Sequence, residues 1–157
     1  MHIVLITIGK NKQLYLDQGL KEYAQRLQHY VSFKLEHILS IKKNNKLPID
    51  NIKNEESKLI LKKLTSSDYV VLLDSNGAML SSSQFANKLQ KWLFSGKKRI
   101  VFIIGGAYGF APNVYSRADQ LISLSKMTFS HQMIRLFFAE QLYRAYTLLN
   151  NEPYHHQ

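Results

Sequence analysis

The chain has 157 residues and a mass of 18.2 kDa, a length that fits one domain with a sizeable core. Apolar residues make up 45% and charged residues 20%, which sets disorder aside. Cysteine is absent, which excludes disulfides, thiolate-held zinc or iron–sulfur clusters and a thiolate nucleophile.

Lys and Arg number 21 against 11 Asp and Glu, a net charge of +10, the usual electrostatic footprint of a nucleic-acid binder. Residues 1–99 hold 17 of the basic and 8 of the acidic side chains, and residues 100–157 hold 4 and 3. A broad basic docking surface is therefore expected from the first two thirds, and a local chemical site from the last. No apolar run approaches the roughly 20 residues of a membrane span. The opening MHIVLITIG is too short for a secretory signal, so the expected compartment is the cytoplasm.

Strand-like runs alternate with helical periodicity, which predicts a single α/β domain over 1–157 with a mostly parallel sheet flanked by helices. His2 to Ile8 is a β-branched run closed by Gly9. Leu16, Leu20, Tyr23, Leu27 and Tyr30 recur at helical spacing, so a helix is expected over about 12–30. Ser32 to Ile38 reads as a second strand, and 39–51 as a basic, mobile loop containing Pro48. A helix follows from about Asn51 to Leu64, then a buried strand from Tyr69 to Leu73 and a turn at 74–77. Ser81 to Ser83 offer caps for a helix ending near Gly96. Ile100 to Ile104 is another buried strand, a short helix spans about 112–116, and Gln120 to Leu124 is a last strand. A loop over 125–130 leads into a long helix over about 131–150. That helix is apolar on nearly every side, so one side is expected to meet a second subunit, the alternative being a central core helix.

Few motifs carry chemistry. Gly105-Gly106-x-x-Gly109 follows a strand but is neither the dinucleotide fingerprint nor a P-loop, because the glycine spacing is wrong and no Gly-Lys-Ser/Thr exists. It marks a tight turn or a close approach of the backbone to a ligand. Asp74 ends a strand where α/β sheets place ligands, but the run Asp-Ser-Asn-Gly explains it first as a turn residue. The polar stretch 123–131 follows the last strand. His131 and Arg135 share a face of the long helix, as do Glu140 and Arg144. The tail Tyr154-His155-His156 reads equally as a frayed end or as a segment that folds onto a ligand.

Taken in order, these blocks are recognisable. They are Gly9-Lys10, Leu72-Leu73-Asp74 with Gly77 and Leu80-Ser81-Ser82, Phe102 to Gly106 with Gly109, Leu124-Ser-Lys-Met-Thr-Phe-Ser-His131, Arg135 with Glu140 to Ala145, and Pro153-Tyr-His155. Together they resemble the RlmH (formerly YbeA) family of bacterial large-subunit ribosomal RNA methyltransferases, end to end and at matching length. The resemblance implies the SPOUT (α/β-knot) fold with a C-terminal trefoil knot. It implies a homodimer built through the C-terminal helix and knot region. The implied activity is methyl transfer from S-adenosylmethionine to N3 of a pseudouridine in 23S rRNA on the assembled ribosome, with no metal. Family cofactor positions carry over onto Leu73, Gly105 and the loop Leu124, Ser125, Lys126, Met127, Thr128 and Phe129.

Such chemistry requires positioning and a way to take up the N3 proton. Arg135, Arg144, Tyr154 and His155 are expected to position the RNA, with His131 or His155 as base. Glu140 is the weaker base candidate, because Arg144 can hold it as an ion pair. Lysines at 42, 43, 46, 62 and 63 are candidates for phosphate contact. Two other readings remain at this level: a SPOUT methyltransferase acting on tRNA or another rRNA nucleotide, and a basic RNA-binding protein without catalysis.

Overall fold

The computed structural model describes residues 1–41 and 47–156. Five strands and five helices alternate. They are β1 (His2–Ile8), α1 (Leu14–Leu27), β2 (Ser32–Ile38), α2 (Ile49–Lys62), β3 (Tyr69–Met79), α3 (Ser82–Leu93), β4 (Arg99–Ile104), α4 (Pro112–Arg117), β5 (Gln120–Ser123) and α5 (Met133–Leu149). The strands form one sheet in the order β2-β1-β4-β3-β5, and every pairing is parallel. The expected α/β fold with a parallel sheet and flanking helices is therefore what the chain adopts. Lys42, Lys43 and Lys46, with the middle of the expected basic loop (42–46), lie outside the described residues.

The sheet is covered on both faces, which is why its strands read as continuous apolar runs rather than alternating ones. Ile3, Leu5, Phe102 and Ile104 point to a core shared with α1, α3 and α5. Val4, Ile6, Val101 and Ile103 point to a second core closed by α2 and α4. Aromatic rings join the first core. Phe102 lies 4.7 Å from Phe138 of α5, and both rings meet Phe85 of α3 edge-on at 6.4 and 6.3 Å. Offset ring pairs of this kind add about 0.5–1.5 kcal/mol beyond the area they bury.

The expected turn at 74–77 is only half right. Asp74 Oδ1 does accept the Asn76 backbone N–H at 2.9 Å, the bond of an Asx turn. The strand nevertheless continues to Met79, and its register against β5 shifts so that Ile122 pairs with both Leu73 and Ala78. The chain bends around Ile122 so closely that a Cβ on Gly77 would lie 2.5 Å from the Ile122 backbone. Only glycine fits there.

Candidate functional site

The bend of β3 and the carboxyl ends of β4 and β5 open into one cleft of about 450 Å³. That volume lies within the roughly 300–1,000 Å³ typical of small-molecule sites. Three segments wall it: 73–75 at the bend of β3, the loop after β4, and 123–131 after β5. Leu73, Gly105, Leu124, Ser125, Lys126, Met127, Thr128 and Phe129 all line it. His131 does too, so the structure brings the whole expected cofactor set together with one of the expected catalytic residues.

Short hydrogen-bonded turns shape these loops. Ser123 Oγ donates to Ser125 O at 3.0 Å, and Ser125 Oγ accepts the Met127 backbone N–H at 2.9 Å. Gly106 and Gly109 form a small bridge that folds the β4 loop back. A Cβ on Gly106 would stand 3.1 Å from the Glu56 carboxylate of α2, so the loop lies flat on that group. Met127 is 78% and Phe129 39% exposed, apolar side chains held at the rim. An apolar floor, backbone-rich walls and one cationic loop residue, Lys126, suit a nucleoside-bearing ligand that is read by its edge and by main-chain groups.

His131 sits just before α5, whose cap residue is Gln132. The capping side chain is Ser130, whose Oγ accepts the Met133 N–H at 3.1 Å. Burial, together with the charges of Arg135 and Lys12, holds the His131 imidazole below its ordinary value. The neutral ring is therefore the dominant form at neutral pH, and a neutral ring can take a proton.

Arg135 departs from expectation. Its side chain is completely buried, so it has no surface to offer RNA. The guanidinium donates to Ile8 O at 2.6 Å, Gly9 O at 2.9 Å, Asn11 Oδ1 at 3.0 Å and His131 O at 3.1 Å. It ties the end of β1 to the cleft loop and to the first turn of α5. Burial lowers it to about 10, still a cation at neutral pH.

The remaining candidates gather elsewhere. Arg144 Nε donates to Glu140 Oε1 at 3.1 Å, so the expected ion pair exists. Arg144 also reaches His155 Nδ1 at 3.3 Å and stacks over the Tyr154 ring at 4.8 Å. Tyr154 packs edge-on against Tyr143 at 4.8 Å and meets the Tyr23 hydroxyl at 3.2 Å. The tail is thus docked on α1 and α5 rather than frayed. His155 Nε2 is buried without a hydrogen-bond partner. Arg144 is ten residues beyond Ile134, which lines the cleft, or about 15 Å along the helix. Glu140 faces a second cavity of about 430 Å³, which shares Ser123, Leu124, Ser125, Phe129 and Ile134 with the first and is also lined by Leu80, Phe85 and Phe137.

Sequence reasoning missed the inward role of Arg135 and the membership of Ile104, Phe110 and Ile134 in the cleft. It also set Asp74 aside as a turn residue, though Asp74 lines the cleft as well and accepts the Tyr115 hydroxyl at 2.5 Å. A strand-end position was the available signal. Among the described residues no three His, Asp or Glu side chains group as metal ligands, and no helix is long and apolar enough to cross a membrane.

Comparison with known proteins agrees with this geometry. A family model described as "Predicted SPOUT methyltransferase" matches residues 1–155. Proteins named ribosomal RNA large subunit methyltransferase H are similar over the whole of both chains: 54% identical in Christiangramia forsetii, 52% in Parabacteroides distasonis and 51% in Flavobacterium psychrophilum. With its parallel sheet, its strand-end cleft and this match, the chain belongs to the SPOUT methyltransferase family.

Proposed function

We propose that this protein transfers a methyl group from S-adenosylmethionine to N3 of a pseudouridine in 23S rRNA, as a cytoplasmic homodimer working on the assembled ribosome. The observation that carries the reading is the cleft, in which all eight expected cofactor residues meet. The names of the relatives support the substrate class, since they specify RNA of the large ribosomal subunit. The charge of +10 supports an RNA partner. Exposed Lys62, and Lys63 paired with Glu36 at 3.3 Å, lie on the basic surface that would meet phosphates.

When bound, S-adenosylmethionine supplies a methyl group already activated on a sulfonium, so the protein's work is binding, orientation and proton removal. Leu73, Met127 and Phe129 hold the apolar surface of the nucleoside. Gly105 and the main chain of 124–128 approach its edge. His131, neutral and in the cleft, takes up the N3 proton of the pseudouridine. Arg144, Tyr154 and His155 grip the RNA, and the buried, unpartnered Nε2 of His155 is a polar atom that a bound partner would have to reach by moving the tail.

In one chain Arg144 lies about 15 Å along α5 from Ile134 of the cleft. We infer that the dimer joins them, with the tail of one protomer at the cleft of the other. The support is α5, which leaves Phe137 40% exposed beside the second cavity, a surface a partner helix would cover. We also infer the trefoil knot. The wrap of β3 around Ile122, which only Gly77 permits, supports a threaded chain there.

The test is transfer of labelled methyl from S-adenosylmethionine to intact ribosomes lacking the modification, to naked 23S rRNA and to tRNA. Label confined to a pseudouridine of intact ribosomes agrees with the reading. Label on tRNA, or on none of the three, contradicts it.

A further inference from the structure

The cleft has one carboxylate among its described lining residues, Asp74, and one full cation, Lys126. No described Lys or Arg forms an ion pair with Asp74. Its orientation is nevertheless fixed. Oδ2 accepts the Tyr115 hydroxyl at 2.5 Å and Oδ1 accepts the Asn76 N–H at 2.9 Å. A carboxylate has about four acceptor positions, so each oxygen keeps one free. Burial and the neighbouring carboxylate push the Tyr115 phenol up to about 12, which keeps it a donor at any physiological pH. Behind the same wall lies a second carboxylate, Glu56, 6% exposed and without a cation partner among the described residues, pressed against Gly106. A half-buried, oriented and unpaired anion is kept at a cost in desolvation, and a positively charged ligand would offset that cost.

We propose that Asp74, aimed by Tyr115, is the group with which the cleft distinguishes a positively charged sulfonium cofactor from its uncharged thioether product. This rests on the reading that the cleft binds S-adenosylmethionine. Methyl transfer moves the methyl group from sulfur to the RNA nitrogen, whose proton leaves to a base. The sulfur keeps the bonding pair and loses its positive charge. The attraction to Asp74 ends at that moment, so the product is held less tightly than the substrate. A charge pair several ångströms apart near a protein surface accounts for about ten-fold or more in affinity.

The experiment is calorimetric titration of S-adenosylmethionine and of S-adenosylhomocysteine into the intact protein, and into Asp74→Asn and Tyr115→Phe. Asp74→Asn is expected to weaken S-adenosylmethionine about ten-fold or more and S-adenosylhomocysteine less than about three-fold. Tyr115→Phe removes only the aiming bond and is expected to shift the same ratio in the same direction by a smaller factor. Because Tyr115→Phe keeps the ring in place, it tests the idea even where Asp74→Asn folds poorly. Equal weakening of both compounds would mean that Asp74 holds the adenosine portion they share, and would overturn the proposal. An unchanged ratio in both variants would also overturn it. Failure of the unaltered protein to bind either compound would instead overturn the cofactor reading beneath it.

Discussion

Arg135 is a buried cation without a carboxylate partner among the described residues. Its charge is spread over three main-chain carbonyls and one amide oxygen, which fixes the end of β1 against the start of α5. Removing it strands those acceptors in the interior, at about 1–3 kcal/mol each. Arg135→Ala is therefore expected to lose about 3–5 kcal/mol of unfolding free energy in urea. Arg135→Lys should recover only part of this, since an ammonium cannot fork to several acceptors in a plane. Glu56 shows the opposite balance. Its burial raises the carboxyl above its ordinary value of 4.5, so the folded state binds the proton more tightly than the unfolded chain. Stability is then fullest below that ordinary value and falls as pH rises through the folded one. Glu56→Gln is expected to melt at a higher temperature than the unaltered protein at pH 7. The gap should close as the pH falls below 4.5. A constant gap across that range would show that the carboxylate carries no such penalty.

At the scale of elements, periodicity located nine of the ten within a few residues, because apolar spacing and cap chemistry are local. Ser81 illustrates it. It reads as a cap in the sequence, and its Oγ accepts the Gln84 N–H at 3.1 Å while Gln84 Oε1 accepts the Ser81 N–H at 2.9 Å. Ser81→Ala should cost about 1 kcal/mol in chemical unfolding and leave cofactor affinity unchanged. The bend of β3 was not legible. Asp-Ser-Asn-Gly is good turn chemistry, and locally it does make the Asx bond. Pairing with β5, a strand 40 residues further on, turns the segment into a bent strand instead. The reach of α5 was misjudged at Arg135 for the same kind of reason. Spacing places a residue on a helix face, and tertiary packing decides whether that face looks out or in.

At the scale of the molecule, the cleft was legible because strand ends and their loops are recognisable blocks in the chain. The second half of the site was legible in composition but not in place. Sequence order puts His131, Glu140, Arg144 and His155 within 25 residues, yet a rigid helix holds them apart. The account therefore makes a claim that no single chain satisfies, that each methyl transfer uses the cleft of one protomer and the tail of its partner. Two inactive variants test it most directly. Gly105→Leu would drive a side chain into Phe110, whose ring lies 3.2 Å from the position of a Cβ, and close the cleft. His155→Ala would remove the tail imidazole and leave the cleft intact. Unfolded and refolded together, the two variants should yield mixed dimers with one intact composite site, and methyl transfer should return to about a quarter of the activity of unaltered protein, half of the dimers carrying one site of two. Absence of any recovery in verified mixed dimers would contradict the account and place the whole site within one chain.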